Sequence, residues 1–164
     1  VGMELCGGFQ RGSAPREAMV LVHYSAGLSV LALVLLRLGL RLKGGVPPVS
    51  PPLARWQRLA ASAGHGALYV FMLGMPVLGW LLVSAEGKAF SLWGLPLPAL
   101  LAPDTGLAHL LEELHEIGGT VGYALIALHV AAALHHQLIR RDDALARMLP
   151  GPAAGRRTSP ARRR

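Results

Sequence analysis

Cysteine is nearly absent: Cys6 is the only one in 164 residues. That excludes an internal disulfide framework and any zinc or iron–sulfur site built from several thiolates. Aromatic residues are also scarce, at 5%, so the chain lacks the platforms on which nucleic-acid bases stack. Its net charge of +7 therefore does not describe a nucleic-acid surface, because the basic residues gather beside apolar runs and in an Arg-rich tail. Charged residues of either sign make up only 15%. Residues 1–17 lack a basic start followed by an apolar core, so nothing there reads as a secretory signal. The chain opens on Val rather than Met, which points to a missing N-terminal stretch.

What is present in quantity is apolar sequence. Hydrophobic residues make up 52% of the chain and mean hydropathy is positive. They concentrate in three runs, at about residues 18–42, 61–83 and 115–140. Each is long enough to cross a bilayer core. The expected fold class is an all-α membrane protein, an up-and-down bundle of transmembrane helices. Residues 43–58 form a linker with two proline pairs, Pro47–Pro48 and Pro51–Pro52, which stop a helix and favour extended chain. Pro76 predicts a kink in the second span. Residues 84–113, with repeated Gly and Pro, read as an ordered surface loop with an interfacial helix at 105–113. The tail, residues 151–164, reads as disordered and basic, leaving 1–150 as the transmembrane domain.

Lys and Arg set the orientation. Residues 37–58 carry five, Arg37, Arg41, Lys43, Arg55 and Arg58, and the chain beyond residue 139 carries eight. The loop 84–116 has only Lys88, against Glu86, Asp104, Glu112, Glu113 and Glu116. The linker and the C-terminus are thus expected in the cytoplasm and the long loop outside, in a multi-pass protein of a bacterial inner membrane.

Histidine within a membrane span is costly and usually functional. His115 and His129 lie fourteen residues apart on the third span, so they share a face, within about 40° and roughly 21 Å apart along the axis. One helix then offers an imidazole near each membrane surface, an arrangement for two stacked metal centres. His23 lies at the depth of His115 on another helix and makes a matched axial pair with it. His65, near the cytoplasmic side with His129, is expected to contact a cofactor edge, to stand in as a ligand, or to cap its helix. His135 and His136 read as interfacial or as carboxylate contacts, and His109 as solvated. Gly118, Gly119 and Gly122 share the face of His115 and leave either a flat slot for a macrocycle or a helix-packing stripe. Arg37, fourteen residues after His23, is placed to pair with a cofactor carboxylate or to snorkel to the headgroups.

The segments LVHYSAGLSVLALVLLRLGLRL, RWQRLAASAGHGALYVFMLGMPVLGW, LWGLPLP and LHEIGGTVGYALIALHVAAALHHQLIRRDDALARMLP occur in that order. In these segments the chain resembles the prokaryotic cytochrome b561 family, over roughly residues 15–150. The resemblance implies a four-helix inner-membrane bundle with two b haems, one near each surface, and electron transfer involving quinone. It extends to superoxide oxidation with ubiquinone as acceptor in some members. It implies outer-haem ligands at His23 and His115 and an inner-haem ligand at His129. Contacts are expected from Gly27, Arg37, His65, Gly119, Gly122 and His136. Only three of the four family spans are found, and residues 1 to about 10 resemble the end of the family's first helix. At least the outer haem is expected.

A haem b anchor subunit of a dehydrogenase or hydrogenase, with its own redox partner protein, uses the same chemistry. A non-haem metal carrier is a different class, disfavoured by the absence of carboxylates within the spans and by the fourteen-residue histidine spacing, too wide for one metal site. A plain helical anchor leaves the cost of intramembrane histidine unexplained. The purified protein separates these: a cytochrome is red, whereas a carrier is colourless and binds zinc.

Overall fold

The computed structural model describes Gly8, residues 12–44 and residues 54–140. Three long helices dominate it: α1 (Ala14–Gly44), α2 (Arg55–Ala85) and α3 (Thr105–His135), the last continuing as a π-helical turn, His136–Arg140. Each of the three is long and apolar enough to cross a membrane. At 31 residues a helix is about 46 Å long, against a hydrocarbon core of about 30 Å. The ends therefore project into the headgroup layers. Large apolar side chains such as Leu33, Leu36, Leu40, Val70, Leu128 and Ile139 are exposed, and few hydrophobics are buried. In water such surface would aggregate, but in lipid it is the expected exterior. The molecule is a helical membrane bundle.

The helices alternate in direction. α1 and α3 each pack along α2, and among the described residues the backbones of α1 and α3 do not approach closely. The α2–α3 contact depends on glycine: a Cβ on Gly122 would collide with the Phe71 ring, and one on Gly118 with Met75 Sδ. Two side chains of α2 thus lie in notches on α3, and the backbones approach closely. α2 is helical throughout, with Pro76 inside it.

Where a surface loop is expected, the chain builds a β-hairpin, β1 (Phe90–Leu92) and β2 (Leu95–Leu97), in register Phe90↔Leu97 and Leu92↔Leu95. Its two-residue turn, Trp93 (φ 50°) and Gly94 (φ 89°), has both residues left-handed, the twist that tight hairpins favour. The surface-loop expectation is corrected to that extent, while the helical-bundle expectation holds. The hairpin is fastened to α1 by the Trp93 backbone N–H, which donates to Ser25 Oγ at 2.8 Å, and by Trp93 Nε1, which donates to Ser29 Oγ at 3.2 Å. Ser25 is fully buried. On α2, Ser84 Oγ accepts from Leu100 N and Trp80 Nε1 donates to the Pro98 carbonyl. Phe90 stacks on Trp80 and packs against Tyr24, in a small core with Leu28 and Val83.

A second correction concerns residues 105–113. They are the first turns of α3 rather than a separate interfacial helix. Asp104 starts the helix, its Oδ1 accepting from Leu107 N at 2.9 Å while its own N–H bonds the Ala85 carbonyl. The cap is satisfied locally, and the three glutamates that follow point outward on a helix projecting beyond the apolar layer. The expected proline-rich linker lies largely outside the described residues, as do the tail, the boundary at 150 and the remnant of a preceding helix at residues 1 to about 10.

The Gly122 notch has a measurable consequence. Gly122→Ala is expected to destabilise the bundle by about 1–3 kcal/mol through overpacking, and Phe71→Ala in the same chain to recover most of that loss. Unfolding by dodecyl sulfate titration from dodecyl maltoside, followed by circular dichroism, measures both.

Candidate haem-binding site

The outer end of the bundle brings two imidazoles together. His23, half-buried on the third turn of α1, and His115 of α3 have ring centroids 6.1 Å apart, with planes at 79°. A nitrogen of imidazole bonds a first-row metal at about 2.0–2.1 Å, and the centroid lies about 1.1 Å behind it. Two rings on opposite sides of one metal therefore sit with centroids roughly 6.3 Å apart. The observed spacing is that of an axial pair. His115 lies against the Gly79 backbone, where an added Cβ would stand 3.1 Å from Cε1. Its Nδ1 is buried and has no hydrogen-bond partner among the described residues. A histidine serving only as an interhelical hydrogen-bond donor would have one.

The surroundings fit a flat group. Among the described residues the backbones of α1 and α3 do not approach closely, and His23 and His115 meet across the space between them. Gly27, four residues after His23, and Gly119, four residues after His115, both open onto free space. Gly122 does not: Phe71 fills its notch, so there the helix-packing reading holds. Gly118 behaves in the same way with Met75. Among the described residues no group of three or more His, Cys, Asp or Glu could hold a metal ion. A bare zinc site needs four protein ligands when structural and three when catalytic. Two opposed imidazoles suit a metal whose remaining four positions come from a macrocycle. The residues fit haem.

At the other end of the bundle His65 and His129 also meet, with centroids 5.7 Å apart and planes at 67°. His65 was the least determined of the expected site residues, and this contact could have been read from register. Gly79 to His65 spans the same fourteen residues of α2 that separate His115 from His129 on α3. Arg37 is exposed near the end of α1. Its Nε donates to the Tyr69 hydroxyl at 3.4 Å, and Arg41 lies over the Tyr69 ring, 5.8 Å from its centroid. His136 opens the π-helical turn, half-buried, with its ring edge-on to His135. His109 is exposed near Glu112. The residues that sequence reasoning missed are Ser25, Ser29, Ser84 and Trp93. They carry no titratable group to draw notice, and only the Trp-Gly pair amid apolar residues hinted at a turn.

Comparison with known proteins gives this geometry a context. Residues 4–151 match the family model described as prokaryotic cytochrome b561. Cytochrome b561 homolog 1 of Escherichia coli K12 is 38% identical over 148 residues, covering 90% of this chain and 84% of the relative. A protein of Yersinia pestis named probable superoxide oxidase CybB is 30% identical, covering 85% and 81%. Cytochrome b561 homolog 2 of Escherichia coli K12 is 33% identical, covering 78% and 69%. The match spans the described bundle, including both histidine-bearing ends. The chain belongs to the prokaryotic cytochrome b561 family, the membrane b-type cytochromes of electron transfer.

Proposed function

We propose that this chain carries electrons through a b haem held between His23 and His115 at the outer face and exchanges them with ubiquinone or a related quinone. The 6.1 Å approach of the two imidazoles across an otherwise unpacked gap is the observation that carries the reading. When bound, the haem supplies a one-electron iron couple, and with both axial positions taken by histidine it has none open for oxygen activation. The chain's own residues do the rest. His115 is steadied against the Gly79 backbone. His23 has its ring edge to Tyr24, which packs on Phe90 of the hairpin. The hairpin and the core beneath it shield that end from water. Met75 and Phe71 fill the α2–α3 interface below, so that the interior stays apolar.

The name of the Yersinia relative raises superoxide as electron donor. Charge at the outer end gives it little help. Lys88 is held by Glu86 at 2.6 Å, and Glu112, Glu113 and Glu116 are exposed on α3. An anion is not drawn toward such a surface, whereas a neutral quinone arriving from the bilayer is indifferent to it.

The localisation is a bacterial inner membrane, with the hairpin outside and residues 43–60 and the C-terminus in the cytoplasm. Arg37, Arg41, Lys43, Arg55 and Arg58 gather at that end, as the positive-inside rule requires.

Three outcomes are expected. His23→Ala and His115→Ala each remove one b haem per chain by pyridine haemochrome, and the double variant removes no more, because the two residues serve one iron. A ubiquinone analogue added to the reduced protein restores the oxidised spectrum, and a reduced spectrum that persists would rule out quinone as partner. Alkaline phosphatase inserted at the hairpin tip is active, while green fluorescent protein fused after residue 150 fluoresces.

A further inference from the structure

Among the described residues the buried polar side chains are two serines, Ser25 of α1 and Ser84 of α2, 0% and 1% exposed. Both take a backbone N–H from the segment that joins α2 to α3. Trp93 N–H donates to Ser25 Oγ at 2.8 Å, and Leu100 N–H to Ser84 Oγ at 3.0 Å. The hairpin segment is thus pinned to two different helices. Ser25 follows His23 by two residues, which places it about 200° further round the helix. It therefore grips α1 from the side away from His115. Leu28 and Ser29 share that side: Leu28 packs with Phe90, and Ser29 Oγ accepts from Trp93 Nε1 at 3.2 Å. The backbones of α1 and α3 do not approach closely among the described residues, so α2 and the hairpin set how α1 is turned about its own axis. An imidazole about 6 Å from a helix axis moves roughly 1 Å when the helix turns by about 10°. A metal–nitrogen distance tolerates only about 0.2 Å.

We propose that Ser25, through the hydrogen bond it accepts from Trp93, is a positioning residue for His23. It fixes the rotation of α1 and with it the angle at which the His23 ring meets the iron. This rests on the reading of His23 and His115 as the ligands of one b haem. The two ring planes stand at 79°. A low-spin ferric haem between near-perpendicular imidazoles shows a larger principal g-value than one between parallel imidazoles, so the angle has a spectroscopic signature. Contacts behind the ligands are also among the levers on haem potential. Removing the Ser25 hydroxyl leaves the Trp93 N–H unpaired and releases the grip on α1, and the His23 ring then settles at another angle. Ser84 is the comparison. It has the same side chain, the same burial and the same kind of donor, but it stands on α2, which carries neither His23 nor His115.

The test is low-temperature electron paramagnetic resonance and redox titration of the full chain purified in detergent. The outer component is identified as the one lost in His23→Ala. Ser25→Ala is expected to keep that haem while shifting both its largest g-value and its midpoint potential. Ser84→Ala, which removes the other pin, is expected to leave both at their wild-type values. Ser25→Cys nearly keeps the buried volume but offers a weaker acceptor, so it is expected to shift both readouts part of the way. It decides the matter if the alanine variant fails to accumulate. An outer component unshifted in Ser25→Ala or in Ser25→Cys would overturn the positioning role while leaving the haem site standing. Equal shifts in Ser25→Ala and Ser84→Ala would overturn it too, because general loosening of the hairpin would then account for both. A folded protein without haem would overturn this role and the haem site together.

Discussion

Close approach of two antiparallel helices, permitted by missing side chains, is the constraint on which the rest of this bundle depends. Gly79 on α2 and Gly118 and Gly122 on α3 let the backbones draw together until Met75, Phe71 and the His115 ring fill the space between them. Lipid gives no hydrophobic drive for helix association, so van der Waals fit of this kind must supply much of it. The fit also fixes how far one helix is slid along the other. Since histidines lie at both ends of the contact, the same notches that hold the helices together set the depth of each imidazole.

α1 is held differently. It packs on α2 and is fastened at its outer half by the hairpin, through hydrogen bonds to Ser25 and Ser29. Ser25 is buried, and a buried hydroxyl without partners is costly. Here it accepts the Trp93 N–H, while Ser29 Oγ donates to its carbonyl. Trp93 occupies a left-handed backbone conformation that costs a non-glycine residue of the order of 1–3 kcal/mol, and its two hydrogen bonds to α1 offset that. The hairpin is thus part of the scaffold that orients His23, not a decoration on the surface.

Much of this was legible in the sequence. Hydropathy found three spans, and the pairing of His23 with His115 follows from counting Lys and Arg to set depth. The partner of His65 was within reach as well, because equal fourteen-residue intervals on two antiparallel helices imply it, but that step needs to know that α2 and α3 are neighbours. The hairpin was obscured because Trp-Gly is not a usual turn pair and three-residue strands carry too little alternation to detect. The early start of α3 was hidden because Glu112, Glu113 and Glu116 look like loop composition, when they belong to helical turns standing clear of the apolar layer. Gly122 shows the limit of reading small residues. Its place on the face of His115 suited a slot and a packing notch alike, and only the position of Phe71 separated them.

The backbones of α1 and α3 stay apart along the described bundle. α1 is joined to the rest through α2 and the hairpin, and α3 through α2. The polypeptide scaffold therefore closes without a helix–helix seam between its two flanking spans. A group seated between His23 and His115 would join two elements that the chain itself leaves unjoined.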